Sequence, residues 1–583
     1  MKDVNFSLNA LVDFPDDCWN EPFDRHVLRS LLERLAESRV SRLYWYWYGT
    51  RQDKWFWDHH NPQAKAGIPG TVQTALNMPN FNRDAAELAR ELGMSTVAVM
   101  RLLESGNAAV YSDFYPEVQQ NIGKQAIPWS GGYILDGCDY VYKHPGDRMK
   151  RRTWDIDEEA ETMPICAIEL RKQNGRPTRI RKEDLTIYVS DTNAHYKKYE
   201  GDFNFTLTTA AADEDVDVIA QGAEGWHSKG YGRRRLTNKG EQITVIRLDG
   251  FTISEHCVAI SCRSGAPYDE EDRDALFSNT LQQGIRCYAA DGRRIPAAVG
   301  TLSQVWRDPC NRDWRECGLG FDQGFGDYFE FMLDPVTGEG VYGVCRGKNR
   351  YAHTTLCECC EGVQAYWMDM LNRCIADGFD FVSHRVENHR LMMDEPFANG
   401  YNDSIKKLYW DRFGKCEEKD MKPEGIARVR GDVYSELFCK GAQAVRAAGG
   451  KVDMLLNAEM LHDPIPMERR FAYPMNVEWQ WERWLEEIQP DSFTLRTFRY
   501  SPEFVLRDPQ CRRLIDAARA YGVPIAYERY VDMGDFLEEY KLVRDSGLFD
   551  SMTLYETAGI LRHTGNGVFE ERIPGLLDKL KAL

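Results

Sequence analysis

The sequence predicts an α/β chain, a (β/α)8 barrel interrupted by an inserted β-sandwich or jelly-roll-like domain. Three observations carry that expectation. Short apolar strands alternate with amphipathic helices at both ends of the 583-residue chain, and the two stretches together hold eight strands. The alternation stops near residue 105 and resumes near 361. No Gly-rich turn follows the first strand, as a doubly wound nucleotide-binding sheet would require. The expected boundaries are 1–104 for the first part of the barrel, 105–355 for the β-rich insertion and 356–583 for the rest.

Each element has a local reason. Residues 4–10 read as strand one, and 24–38 as a helix with Val27, Leu28, Leu31, Leu32 and Leu35 at helical spacing. Residues 41–48, SRLYWYWY, are an aromatic-rich strand two. A helix from Asp84 to Leu92, capped by Asn82 and stopped by Gly93, leads to strand three at 94–100. Strand-like runs joined by polar turns then dominate: 166–172, 185–191, 203–209, 243–251 and 257–264. After a helix through Val363, Trp367, Met370, Leu371 and Ile375, strand four is expected at 380–389. Strands five to eight are expected at 451–460, 491–498, 524–530 and 551–558, with helices at 476–488, 509–521, 534–546 and 573–582.

Composition removes several function classes. Lys plus Arg number 73 against 91 Asp plus Glu, and the net charge of −18 disfavours nucleic acid and anionic lipid as partners. No run of about 18 apolar residues predicts a membrane span. No signal peptide is visible, so a cytoplasmic location is expected. The 16 cysteines are irregularly spaced and read as reduced thiols. Cys357, Cys359 and Cys360 are dense but lack the separated pairs of a zinc site, so no metal or cofactor is expected.

In such a barrel, side chains at the carboxyl ends of the strands converge on one face. Those ends carry Arg385, Glu387, Asn388 and His389 on strand four, and Asn457 with Glu459 on strand five. Strand six offers Arg496, strand seven Glu528 and Tyr530, and strand eight Glu556. Strand two brings Trp47, followed by Trp55 and Trp57, whose rings suit the C–H faces of sugars. Alternation places Ala526, Glu528 and Tyr530 on one face of strand seven, and Arg385, Glu387 and His389 on one face of strand four. Two carboxylates across a pocket are the equipment for cleaving a glycosidic bond, one as proton donor and the other as nucleophile or base.

Glutamates at the ends of strands four and seven of an eight-fold barrel resemble the clan of retaining (β/α)8 glycoside hydrolases, and the barrel part resembles the glycosyl-hydrolase-like barrels of bacteria. The resemblance implies Glu387 as acid/base and Glu528 as nucleophile. The clan shows Asn before its acid/base; here Val386 precedes Glu387 and Asn388 follows it, which makes Glu459 of the NAE triplet, with Glu556, the alternative. Arg385, Asn388, His389, Trp47, Trp55, Trp57, Asn457, Arg496 and Tyr530 are the expected substrate contacts. The arginines make an acidic sugar the expected substrate. Two other classes use the same strand ends: a metal-dependent sugar isomerase ligated by Glu387, His389, Glu459 and Glu528, and a carbohydrate-binding barrel without chemistry.

Overall fold

A computed structural model of the chain describes residues 6–18, 21–47, 74, 77–101, 144–155, 157–172, 175, 177–178, 180–221, 231–262, 284–301, 315, 318–321, 340–386, 396–462, 476–497 and 500–583. Eight parallel strands close into a barrel: β1 Ser7–Val12, β2 Val40–Tyr46, β3 Ser95–Arg101, β4 Phe381–Arg385, β5 Lys451–Asn457, β6 Ser492–Thr497, β7 Ile525–Tyr530 and β8 Ser551–Tyr555. Closure is made by β1 pairing with β8 in the register Leu8↔Met552 while its other edge pairs with β2. Closure leaves no unpaired edge, so every strand is covered on both sides and buried on both faces. In β4, β6 and β8 every residue is buried.

The helices pack on the outside as their apolar spacing dictates. Helix Arg25–Glu37 buries Val27, Leu28, Leu31, Leu32 and Leu35, and Asp24 caps it by accepting from the Val27 amide at 2.8 Å. Helix Phe81–Glu91 starts earlier than its sequence suggests, after Asn80 rather than Asn82. Asn82 is buried instead and accepts from the Trp45 indole at 2.9 Å. The helix ends before Gly93, whose φ of +83° suits glycine after a helix C-terminus.

The helix expected at 476–488 forms only in its second half, as Trp481–Arg483 running into a π turn at Trp484–Ile488. Its first residues stay out of the helix because their backbone is engaged elsewhere. The Asn476 carbonyl accepts from Arg430 at 3.1 Å, and the Glu478 amide donates to the Ala427 carbonyl at 3.0 Å. This brings the chain so close to helix Pro423–Ala447 that a Cβ on Gly431 would lie 2.2 Å from the Glu478 carbonyl oxygen.

Between β3 and β4 lie antiparallel sheets. One has five strands, in the order Arg294–Ile295, Ile285–Tyr288, Ile165–Lys172, Gln242–Ile253 and Asn204–Ala211. Another has six, in the order Gly320–Phe321, Ala297–Thr301, Gly340–Arg346, Cys257–Cys262, Leu185–Ser190 and Lys197–Lys198. Ile168, Leu170, Ile246 and Leu248 of the first share one apolar cluster with Ile187, Val258, Ile260 and Val344 of the second. The short pair Arg148–Lys150 with Tyr351–Leu356 brings this region back to the barrel, where the Lys150 amide donates to Asn402 Oδ1 at 2.7 Å.

Candidate active site

Strand alternation decides which side chains enter the barrel lumen. In β5, Val452, Met454 and Leu456 join the apolar layer under the helices, leaving Asp453, Leu455 and Asn457 on the opposite face. In β6 and β7 the same layer takes Phe493, Leu495, Ile525 and Tyr527, which leaves Thr494, Arg496, Ala526, Glu528 and Tyr530 for the lumen.

The lumen holds a buried charge cluster. Arg385, at the end of β4, donates from its guanidinium to Glu528 Oε1 on β7 and to the Tyr46 hydroxyl on β2. Strands β4 and β7 are not neighbours, so that bond crosses the barrel interior. Arg496 Nε lies 3.3 Å from the same Glu528 oxygen, and all three charged side chains have no solvent-exposed surface. Tyrosines wall the cluster. The Arg496 guanidinium sits 3.8 Å over the Tyr555 ring, the Tyr46 and Tyr555 hydroxyls are 2.9 Å apart, and Tyr530 packs edge-on to Tyr555 at 4.4 Å. Burial pushes the Tyr555 phenol up, with Arg496 opposing, so Tyr555 is a neutral hydroxyl.

Isolated charges are costly to bury, so this cluster persists only because each charge is compensated at contact distance. Polar atoms around it lack partners. Strand register aligns Asn457, Arg496, Glu528, Thr553 and Asn9 as neighbours across β5, β6, β7, β8 and β1. Both polar side-chain atoms of Asn457, Glu528 Oε2, Thr553 Oγ1 and Asn9 Nδ2 make no hydrogen bond among the described residues. Buried polar groups without partners are rare, and a row of them beside paired charges is what a ligand with many hydroxyls would satisfy.

Asp453 also lies on the lumen face. Its carboxylate accepts from the Ser383 and Ser492 hydroxyls, each at 2.6 Å. Burial raises its pKa to about 6 against the pull of those hydroxyls, and Glu528 adds to the rise. Because the folded value lies above the ordinary 3.8, the folded state binds the extra proton. This group's contribution to stability is therefore present at low pH and is lost as pH rises from about 4 to about 6. Asp453→Asn should remove that part of the pH dependence, a difference of about 3 kcal/mol between the two limits, measured by urea unfolding at several pH values.

Of the residues singled out from sequence, Arg385, Asn457, Arg496, Glu528 and Tyr530 are brought together here. Glu459 is not. Its Oε1 accepts at 3.2 Å from Thr497, the outward neighbour of Arg496. Glu556 follows β8 half-buried, close enough to Asp17 to raise that carboxyl's pKa, after burial as the main cause. Trp47 departs from its expected role: its indole donates at 2.7 Å to Asp377 at the end of helix Glu361–Ala376, and with Trp45 it faces the helices. Glu387, Asn388, His389, Trp55 and Trp57 lie outside the described residues. Asn9 and Tyr555 stand at strand ends in the sequence; Tyr46, Thr553 and Asp453 were missed, although strict alternation along SRLYWYW puts Tyr44 and Tyr46 on the face opposite Trp45 and Trp47.

No family model matches the chain, and no curated protein matches it. Among solved structures it is similar to a rhamnosidase from Novosphingobium sp. PP1Y, at 8% identity over 94% of this chain and 55% of that one, with a TM-score of 0.35. A GH20 exo β-N-acetylglucosaminidase from Vibrio harveyi gives 7% identity over 91% and 42%, with a TM-score of 0.29. The PgaB (BpsB) glycoside hydrolase domain from Bordetella bronchiseptica gives 11% over 34% and 59%, with a TM-score of 0.23. The chain spans less than two thirds of the length of each.

Proposed function

We propose that the chain is a glycoside hydrolase that cleaves glycosidic bonds with retention, using Glu528 as nucleophile and Glu387 as acid/base. The observation that supports this most is Glu528 itself: a fully buried carboxylate at the end of β7, compensated by two guanidiniums and walled by tyrosines. In the first step Glu528 attacks the anomeric carbon while Glu387 gives its proton to the leaving oxygen. In the second, Glu387 takes a proton from water, and that water displaces Glu528 from the sugar. Retention requires the two carboxyls to stand about 5–5.5 Å apart, against about 6.5–9.5 Å for inversion.

Arg385 and Arg496 fix the nucleophile's position, and the unpartnered Asn457, Thr553 and Asn9 atoms are acceptors and donors for sugar hydroxyls. Two guanidiniums in one lumen also suit a carboxylate or sulfate on the substrate, so the sugar is read as acidic. The five- and six-stranded sheets between β3 and β4 are read as a β-sandwich inserted in a barrel loop.

A panel of neutral, uronate, sialate and sulfated aryl glycosides tests this reading, with the first-formed anomer followed by NMR. Turnover of an acidic glycoside with retained configuration is expected. Inversion removes the nucleophile role of Glu528, preference for neutral sugars removes the acidic substrate, and binding without turnover would mark a carbohydrate-binding barrel. Among the described residues, no helix is long and apolar enough to cross a membrane.

A further inference from the structure

We infer that His462, Asp508 and Cys511 form a binding site for one thiophilic divalent cation of the zinc class, on the outer side of the barrel rim. The site is built from two short elements. His462 follows the turn Ala458–Leu461 that leaves β5, while Asp508 and Cys511 belong to the N-cap and first turn of helix Pro509–Ala520, which follows β6. One nitrogen, one carboxylate oxygen and one sulfur lie within 4.8 Å of one another, and His462 Nε2 is 3.2 Å from Asp508 Oδ2. A tetrahedral zinc ion holds such atoms about 2.0–2.3 Å from itself, so small side-chain movements close the set.

Three further features favour a cation here. Among the described residues His462 Nδ1 makes no hydrogen bond and Nε2 faces Asp508 Oδ2 at 3.2 Å, with the ring mostly buried and packed beside Tyr500 and Phe504. The helix cap engages Asp508 Oδ2, which accepts from the Cys511 amide at 2.8 Å and holds the carboxylate against the Cys511 thiol. The charges acting on Cys511 are negative, from Asp508 and Glu459.

A second group, one histidine and two cysteines, shows the contrast. His256, Cys257 and Cys345 also come within 4.8 Å, but Arg148 acts on both thiols, and Arg346 and Arg350 act on the imidazole beside the carboxylate of Glu161. Those guanidiniums repel a cation. Nitrogen, carboxylate and thiolate together select a borderline-soft metal over magnesium or calcium, and the thiol gives its proton to solvent on binding. The ion ties the segment leaving β5 to the helix after β6. Its role is structural, because Glu528 stands on the other side of the barrel wall.

The full-length chain, reduced and stripped with a chelator, is titrated with Co2+ as the probe. One equivalent should bind, with tetrahedral d–d bands and a thiolate-to-cobalt charge-transfer band. Cys511→Ser should abolish the charge-transfer band, and His462→Gln should weaken binding by at least ~10-fold. Cys257→Ser should change neither. Absence of the band in the wild-type chain, or its survival in Cys511→Ser, overturns the inference. Should Cys511→Ser fail to fold, His462→Gln decides alone, and unchanged cobalt affinity in that variant overturns it.

Discussion

Glu528→Gln is expected to lower kcat on the best glycoside of the panel by on the order of 10⁴-fold, because the amide cannot form the glycosyl–enzyme bond. The side chain keeps its shape, so substrate binding should persist and KM should change far less than kcat. Glu459→Gln, altered outside the lumen wall, should retain most activity. Equal losses in both variants would contradict the assignment of Glu528, and a full loss only in Glu459→Gln would transfer the role to strand β5.

The second large effect concerns Arg385. Its guanidinium spans the lumen between Tyr46 and Glu528, and its removal leaves one buried carboxylate with a single remaining guanidinium. Arg385→Met should cost about 3–5 kcal/mol in urea unfolding, as breaking a buried pair does. The same substitution made in a Glu528→Gln background should cost less, because the charge it compensated is gone. The coupling between the two positions is expected at about 0.5–3 kcal/mol. Strictly additive effects would show that the cross-barrel pair contributes nothing specific.

The barrel was legible because its signal is repetitive. Eight apolar strands, with helices carrying residues such as Val27, Leu28 and Leu31 at helical spacing, specify faces without knowledge of tertiary partners. The same period-2 logic grouped Ala526, Glu528 and Tyr530 on one face and left Arg529 on the other, where it meets Glu539 at 2.6 Å. What stayed hidden depended on partners distant in sequence. Asn82 reads as a helix cap, but Trp45 claims its oxygen across 37 positions. Alternation puts Tyr46 and Trp47 on opposite faces, but their partners, the guanidinium of Arg385 and the carboxylate of Asp377, lie more than 300 positions away in sequence. The strands Ile285–Tyr288, Ala297–Thr301 and Gly340–Arg346 lie in stretches rich in Gly, Arg and Ala, where neighbouring strands supply the pattern that local composition lacks.

The most direct test of the central claim is to trap the glycosyl–enzyme. A 2-deoxy-2-fluoro glycoside of the preferred sugar, carrying a good leaving group, slows the second step so that the covalent intermediate accumulates. Peptide mapping by mass spectrometry should then place one sugar on Glu528, in the segment Ile525–Tyr530. A label on any other carboxylate, or stoichiometric leaving-group release with no labelled peptide, would contradict the account.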